Sequence, residues 1–439
     1  MLPRLTALLA FVFTLVIPAA AHAAPPPNVV LIISDDQAWG DYGFMGHPQI
    51  RTPHLDRLAA QSLVFPRGYV PSSLCCPSLA SIITGRYPHQ NGITSNDPAL
   101  PPTVKGREKA QHPLFREGRR TMNGFMEKAA TLPRVLGERG YLSFQTGKWW
   151  QGHFKSGGFT HGMSAGDEDK GGRHGDAGLK IGRAGMEPIY EFIGTAQAEK
   201  KPFLVWYAPL LPHDPHTAPD RILQKYQPLT PSPHVAKYWA NVEWFDETVG
   251  QLLDHLEKQG LAENTIVVYV TDNGWIQDPA SPKFAAKSKQ SPYDGGLRTP
   301  IMIKWPGKIT PRKSEALATS LDIYPTLLTA LGVKPAADLP GLDLRDETAV
   351  AQRQQLFGEC FTHDAKDFAN PAASLRWRWT IDGHTKLIVP AAQNEPNEKV
   401  ELYDLASDPQ EEKNLAAAQP ARVAELTKKL DAWWPGAKP

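Results

Sequence analysis

Cys75-Cys76-Pro77-Ser78-Leu79-Ala80-Ser81-Ile82-Ile83-Thr84-Gly85-Arg86 is a cysteine-proline-serine turn that runs directly into an apolar segment with the look of a helix. Proline is tolerated at the first helical position, because the N–H it lacks would have no intrahelical partner there. Pro77 therefore predicts a helix start with Cys75 just outside it. Unpaired amides and the positive end of the helix dipole favour an anion at such a place. This makes Cys75 a candidate nucleophile toward an anionic group, although a thiol beside a helix start reads, on its own, more readily as one of a structural cysteine pair.

Working outward, Asn28-Val29-Val30-Leu31-Ile32-Ile33-Ser34 is a β-branched run of the kind that forms a strand buried on both faces, and it ends in Asp35-Asp36. Tyr141–Thr146 delivers Lys148 just past a strand end, Pro202–Tyr207 releases into a loop with His213 and His216, and Thr265–Val270 ends at Asp272-Asn273-Gly274. Helical segments alternate with these runs; the clearest has Trp239, Val242, Phe245, Val249, Leu252, Leu253 and Leu256 at three- and four-residue steps. The alternation predicts an α/β fold with a large, mainly parallel sheet and helices on both faces, where ligands bind at the carboxyl ends of strands. Each polar group just named falls at such an end. Taken singly, Asp35-Asp36 reads as a solvated turn, Lys148 as a surface lysine and His213 as a loop histidine.

The segment from about Pro98 to Ala130 is charged and weakly patterned, and is expected to be a surface excursion. Residues 155–186 are glycine-rich and hydrophilic, which predicts a loop over a site. From about Asp346 the texture changes to shorter alternating strands and a final helix at Pro420–Trp434, a smaller α+β domain with an antiparallel sheet. The expected division is 1–23 as a leader, 24–345 as the main domain and 346–439 as the C-terminal subdomain.

Residues 1–23 carry Arg4, an apolar run from Leu5 to Ala21 and then Ala21-His22-Ala23, the layout of a secretory signal peptide; an uncleaved anchor is the alternative. The expectation is a secreted or periplasmic protein beginning at Ala24, with no membrane span in the mature chain. Forty-seven basic against 46 acidic residues give a net charge of +1, which leaves no electrostatic footprint for nucleic acid or anionic lipid. Three cysteines, Cys75, Cys76 and Cys360, exclude a disulfide scaffold. Hard divalent cations choose carboxylate and amide oxygens, so Asp35, Asp36, Asp272 and Asn273 form a coherent ligand set, whereas no Cys/His spacing suits zinc.

The opening stretch resembles, nearly letter for letter, the signature of the type I, formylglycine-dependent sulfatases of the alkaline-phosphatase superfamily, in which C-x-P-S-R is followed five residues later by T-G-R. Cys75, Pro77, Ser78, Thr84, Gly85 and Arg86 match it, and Leu79 stands in place of the family arginine. Glu401–Leu405 with Asp408-Pro409 and Asn414-Leu415 resembles the closing segment of the same family. The resemblance implies a sulfuric ester hydrolase in which Cys75, not Cys76, is oxidised to formylglycine by a formylglycine-generating enzyme. It implies Ca²⁺, less often Mg²⁺, on Asp35, Asp36, Asp272, Asn273 and the converted Cys75. Lys148 and Lys289 would hold sulfate oxygens, the latter placed by its spacing to Tyr293-Asp294-Gly295-Gly296, and His213 would serve the leaving oxygen.

Two departures carry expectations of their own. The family's Gly-Lys-Trp-His reads Gly147-Lys148-Trp149-Trp150, so a histidine is replaced by Trp150, with His153 three residues on as a substitute. Arg86 or another cation would have to cover for the arginine missing at Leu79. Trp149, Trp150, Trp275 and the loop at His216 suggest stacking on a sugar ring, which favours a carbohydrate or other small-molecule sulfate ester. The rival readings are a phosphodiester or phosphonate hydrolase of the same superfamily and a non-catalytic sulfated-glycan binding protein. The complete oxygen-ligand set disfavours the last.

Overall fold

The computed structural model describes residues 25–104, 108–166 and 173–437. The expected leader, 1–23, lies outside them. Six main strands, β1 (Asn28–Ser34), β2 (Leu63–Tyr69), β3 (Leu142–Gly147), β4 (Phe203–Ala208), β5 (Thr265–Thr271) and β6 (Arg298–Lys304), build the central sheet. With three two-residue strands it has nine members, and its main path runs Ala318–Thr319, β2, β6, β5, β1, β4, β3, His161–Gly162. β1 is parallel to both β4 and β5, and β3 to β4; β6 runs antiparallel to its two neighbours.

β1, β3, β4 and β5 are buried along their whole length because both faces are covered. Around the sheet lie α1 (Pro53–Ala60), α2 (Cys75–Thr84), α3 (Pro113–Lys128), α4 (Glu187–Ala198), α5 (Pro233–Lys258) and α6 (Ile323–Ala330). Side chains of a strand alternate between faces, and β1 divides accordingly. Val29, Leu31 and Ile33 join Ile82 and Ile83 of α2 and Leu327 of α6, while Val30 and Ile32 join Phe245, Val249 and Leu252 of α5. Fully burying one such aliphatic side chain is worth about 1.5–3 kcal/mol, so both helix layers are held by β1 itself.

Two local expectations are corrected. Cys75 is the first residue of α2 and not a residue outside it: the extended Leu74 flanks the helix, and Pro77 falls within the first turn, where its missing N–H still costs nothing. The segment from Pro98 to Ala130 is not a surface excursion over its length. Its helix α3 buries Met122 and Met126 in the main core, and carries the buried Phe115 and Arg119.

The C-terminal sheet follows the order β7 (Gln355–Phe361), β8 (Leu375–Asp382), β9 (Thr385–Pro390), β10 (Glu401–Asp404), antiparallel throughout. The closing helix α7 (Pro420–Trp433) lays Leu426 and Leu430 on Leu387 and Leu402. Leu356, Trp379 and Ile381 of this sheet pack against Tyr69, Val70 and Leu297 of the main domain. Among the described residues no helix is long and apolar enough to cross a membrane.

Candidate active site

The register of two adjacent strands assembles the site. β1 and β5 pair from Asn28↔Thr265 to Ser34↔Thr271 without a slip, so Asp35-Asp36 and Asp272-Asn273 emerge side by side at the carboxyl edge. Next on the other side, Gly147 pairs with Ala208 and delivers Lys148 from the end of β3. Gly147 has φ 74, and a Cβ there would lie 1.8 Å from the Ala208 carbonyl oxygen, so the chain can turn Lys148 inward only through a glycine. Asp36 itself sits in the left-handed region at φ 62, a conformation that a non-glycine residue holds only when its surroundings impose it.

All five charged groups of the centre are buried. Lys148 Nζ donates to Asp35 Oδ1 (2.7 Å) and to Cys75 Sγ (3.2 Å), and lies 4.0 Å from Asp272 Oδ2. Asp36 accepts from Lys289 Nζ at Oδ2 (2.7 Å) and from Asn273 Nδ2 at Oδ1 (2.6 Å), while His213 Nε2 stands 3.3 Å from Oδ2. Asp272 Oδ1 accepts the backbone N–H groups of Asp36 (3.1 Å) and Asn273 (2.6 Å). His213 is held from behind by Asp214, whose carboxylate lies 2.8 Å from Nδ1.

Three oxygens of this centre, Asp35 Oδ2, Asp272 Oδ2 and Asn273 Oδ1, are buried and have no hydrogen-bond partner. Buried polar oxygens are almost always satisfied, and three orphans from adjoining strand ends are what a hard cation binds. The electrostatics agree. Burial, with Asp35 next to it, pushes the Asp272 carboxyl well above the usual range, a shift that a divalent cation would reverse. Burial also acts to raise Asp36, but Lys289, His213 and Lys148 outweigh it and hold this carboxyl below its ordinary value. Burial pushes the Cys75 thiol up to about 12 in spite of Lys148 and Lys289, so unmodified Cys75 is a thiol, not a thiolate, at neutral pH.

A cavity of about 470 Å³ opens over the centre, lined by Cys75, Lys148, His213 and Lys289 together with Trp150 and Trp275. Sequence reading alone does not reach other lining residues: Asn96, Arg173, His174, Gln290 and His363. Arg173 and His174 come from the glycine-rich, hydrophilic loop, where nothing in the sequence sets them apart from its other charged residues. Arg173 lies over the face of Trp150 at 4.7 Å and is held there by the Asp97 carboxylate. His174 packs on the same indole; burial, with Lys148 and Arg173 nearby, lowers its pKa to about 2 and keeps the imidazole neutral. His363 belongs to the C-terminal subdomain, and nothing in its neighbourhood in sequence announces it.

Three expected site features lie elsewhere. Arg86 follows the far end of α2, about 15 Å along a ten-residue helix, and pairs with the exposed Asp338 (2.9 Å), so it does not stand in for the arginine missing at Leu79. Leu79 itself is part of the apolar core. His153 is exposed and caps the short turn at Phe154–Gly157 by accepting from the N–H of Lys155, so it does not replace the histidine lost at Trp150. Trp149 is buried edge-on against Phe159 and Trp206 and offers no face to a sugar.

Fold and centre together define an α/β protein of the alkaline-phosphatase superfamily, with an oxygen cradle for a hard cation beside a buried cysteine at the start of a helix. The sequence profile described as "Sulfatase" matches residues 27–333, and that described as "N-sulphoglucosamine sulphohydrolase, C-terminal" matches residues 285–433. The chain belongs to the sulfatase family. N-acetylgalactosamine-6-sulfatase of Canis lupus familiaris is 30% identical over 368 residues, covering 74% of this chain and 66% of that protein. Human arylsulfatase A is 28% identical over 479 residues, covering 95% of this chain and 88% of its own length. A solved structure of a protein in complex with its substrate D-glucosamine-2-N,6-O-disulfate shares the fold, with a TM-score of 0.71, 19% identity and coverage of 94% of this chain and 98% of that one.

Proposed function

We propose that this chain hydrolyses sulfate esters, on a carbohydrate, with Ca²⁺ held by Asp35, Asp36, Asp272 and Asn273 and with a formylglycine made from Cys75. The observation that carries the reading is the set of three buried, unpartnered oxygens, Asp35 Oδ2, Asp272 Oδ2 and Asn273 Oδ1, grouped beneath the cavity around the Lys148 ammonium, which also touches Cys75 in the cavity lining. Ca²⁺ fits better than Mg²⁺, because a mixed carboxylate and amide set on two strand ends suits its flexible coordination. When bound, the cation supplies Lewis-acid polarisation of an ester oxygen and eases ionisation of an oxygen nucleophile. Conversion of Cys75 supplies that oxygen in place of a thiol that burial has made unreactive.

The chain's own residues do the rest. With Asp272 ionised by the bound cation, Asp35, Asp36 and Asp272 against Lys148 and Lys289 carry one net negative charge, which a divalent cation turns into one net positive charge, matched to a sulfate monoester anion. Lys148 and Lys289 bind sulfate oxygens. His213, braced by Asp214, faces the cavity and hands a proton to the departing alcohol oxygen. Trp150, Trp275 and Arg173 form the wall that a sugar would meet. The names of the relatives, which act on a sulfated amino sugar or on aryl sulfates, support the substrate class. Residues 1–23 direct the protein to a secreted or periplasmic location, and its partner during maturation is a formylglycine-generating enzyme.

The test combines chemistry and mass. A panel of aryl and sugar sulfates beside the matching phosphate esters and phosphonates is expected to show turnover of the sulfates. Mass spectrometry of the tryptic peptide Gly68–Arg86 from protein made in its native host is expected to show conversion at Cys75 and an intact thiol at Cys76. Turnover of sulfates by protein whose peptide carries two thiols would overturn the mechanism.

A further inference from the structure

Lys289 sits on a segment whose backbone does not hold its own shape. Lys287 has φ 55 and Gln290 has φ 62, so the lysine is bracketed by two non-glycine residues in the left-handed region. Such conformations persist only where neighbouring structure over-determines them. The neighbours here come largely from the C-terminal subdomain. Asp294 gives its N–H to Glu411 Oε2 (2.6 Å), and Lys386 Nζ of β9 reaches both Asp294 Oδ1 and Glu411 Oε1 at 2.8 Å. Lys386, Asp294 and Glu411 are all buried. Lys287 Nζ donates to the backbone carbonyl of Glu411 and lies over the rings of Tyr293 (4.7 Å) and Tyr403 (5.5 Å). Arg376 of β8 donates to the carbonyl of Gln290 (3.1 Å), and Tyr293 donates to Glu401 of β10 (2.8 Å).

We propose that the C-terminal subdomain is the positioning device for Lys289, with Lys386, Glu411, Arg376 and the tether from Lys287 to the Glu411 carbonyl clamping residues 287–294 so that its ammonium stays in the sulfate cavity. A buried lysine shared by two carboxylates makes a clamp of fixed geometry, since all three groups are desolvated and none has water to turn to. One end of the clamped segment is anchored in the main domain as well, through the N–H of Gln290 on the carbonyl of Ser73 (2.9 Å), two residues before Cys75. The C-terminal sheet thus sets the separation between Lys289 and residue 75. Lys386, Glu411 and Arg376 act through Lys289 and are positioning residues. The role given to Lys289 rests on the function proposed above.

The decisive experiment uses the full-length protein and three variants: Lys287→Met, Lys289→Met and the double variant. Lys287→Met removes one tether without leaving a buried carboxylate unpaired, so it folds where Lys386→Met, tested alongside, risks failing to. Hydrogen exchange of peptides covering 284–297 is expected to quicken on the order of tenfold or more in Lys287→Met, while peptides from β1 and β5 keep their protection. Inhibition by inorganic sulfate is expected to weaken on the order of 10- to 100-fold in each single variant, with little further loss in the double, as for two residues acting through one group. Unchanged exchange in 284–297, or losses that multiply in the double variant, would overturn the inference. If Lys289→Met leaves sulfate inhibition untouched, the reading of the site falls instead, and the exchange result still decides whether the clamp exists.

Discussion

Replacing Asp272 by Asn separates a cation site from an ordinary buried network, because the two predict opposite stabilities. Asn keeps an oxygen for the N–H groups of Asp36 and Asn273, and it removes the negative charge that burial and Asp35 make so costly. Two unit charges about 4 Å apart interact by about 4 kcal/mol at an effective dielectric of 20. The attraction to Lys148, at 4.0 Å, that the variant loses is of that order, and the relief of burial and of repulsion from Asp35 opposes it. The net change without cation is therefore near zero or stabilising. The entropy of unfolding for 439 residues is about 0.9 kcal/mol per degree, so the variant's Tm should fall within about 2 °C of the parent or above it. A cation at a hundred times its Kd adds about 2.7 kcal/mol to the parent, which is about 3 °C. Calorimetric scans with chelator and with excess Ca²⁺ should show that shift in the parent and none in Asp272→Asn, with sulfatase turnover lost. A variant that keeps the Ca²⁺ shift, or that unfolds many degrees lower with chelator present, would refute the reasoning.

His213→Ala should slow alkyl sugar sulfates on the order of 10²- to 10⁴-fold and aryl sulfates far less, because a proton donor matters only when the departing oxygen needs one; steady-state rates on both kinds of ester decide it, and equal small losses would leave His213 a structural residue. Arg86→Ala should leave kcat and KM where they are and cost under about 1 kcal/mol, since its pair with Asp338 is exposed. Asp246, on α5, accepts from the N–H groups of His54 and Leu55 at the start of α1, and burial raises its pKa to about 7. The folded state then holds a proton that the unfolded chain has released, so stability falls as pH rises from about 4 to about 7, by up to roughly 4 kcal/mol. Denaturant midpoints between pH 5 and 8 should slope downward in the parent and less steeply in Asp246→Asn.

Much of this site is legible in the sequence because its ligands follow directly on buried β-branched strands. The runs before Asp35 and Asp272 announce two-sided burial, and adjacent parallel strands can bring their ends together. The sequence offers no clear strand at Leu63–Tyr69, where Pro66 and Gly68 interrupt the run; the chain accommodates them with a register shift between Phe65 and Gly68. Helix α3 is hidden by its charges, since Arg119 is buried through bonds to the carbonyls of Asn96 and Arg173 that no local pattern encodes. Arg86 misleads in the opposite direction. It belongs to the recognisable stretch, yet its neighbour Gly85, at φ 66, ends the helix and turns it away from the cavity. Letters shared with a family thus mark α2 as a whole, and only its first turn reaches the cavity.

The unbroken pairing of β1 with β5 also sets a clock. Asp36 and Asp272 are 236 residues apart in the chain, and ribosomes add about 5–20 residues per second. Between the appearance of the first ligand pair and the second, on the order of 10–50 seconds pass, during which the central strand lacks one of its neighbours and α2 has no completed sheet to lie against. Once that partner arrives, Cys75 is shut away, with 1% of its surface exposed. Any enzyme that modifies this cysteine competes with folding for a nascent, still open chain, so slower elongation between residues 86 and 265 should raise the converted fraction without altering a single contact of the finished protein.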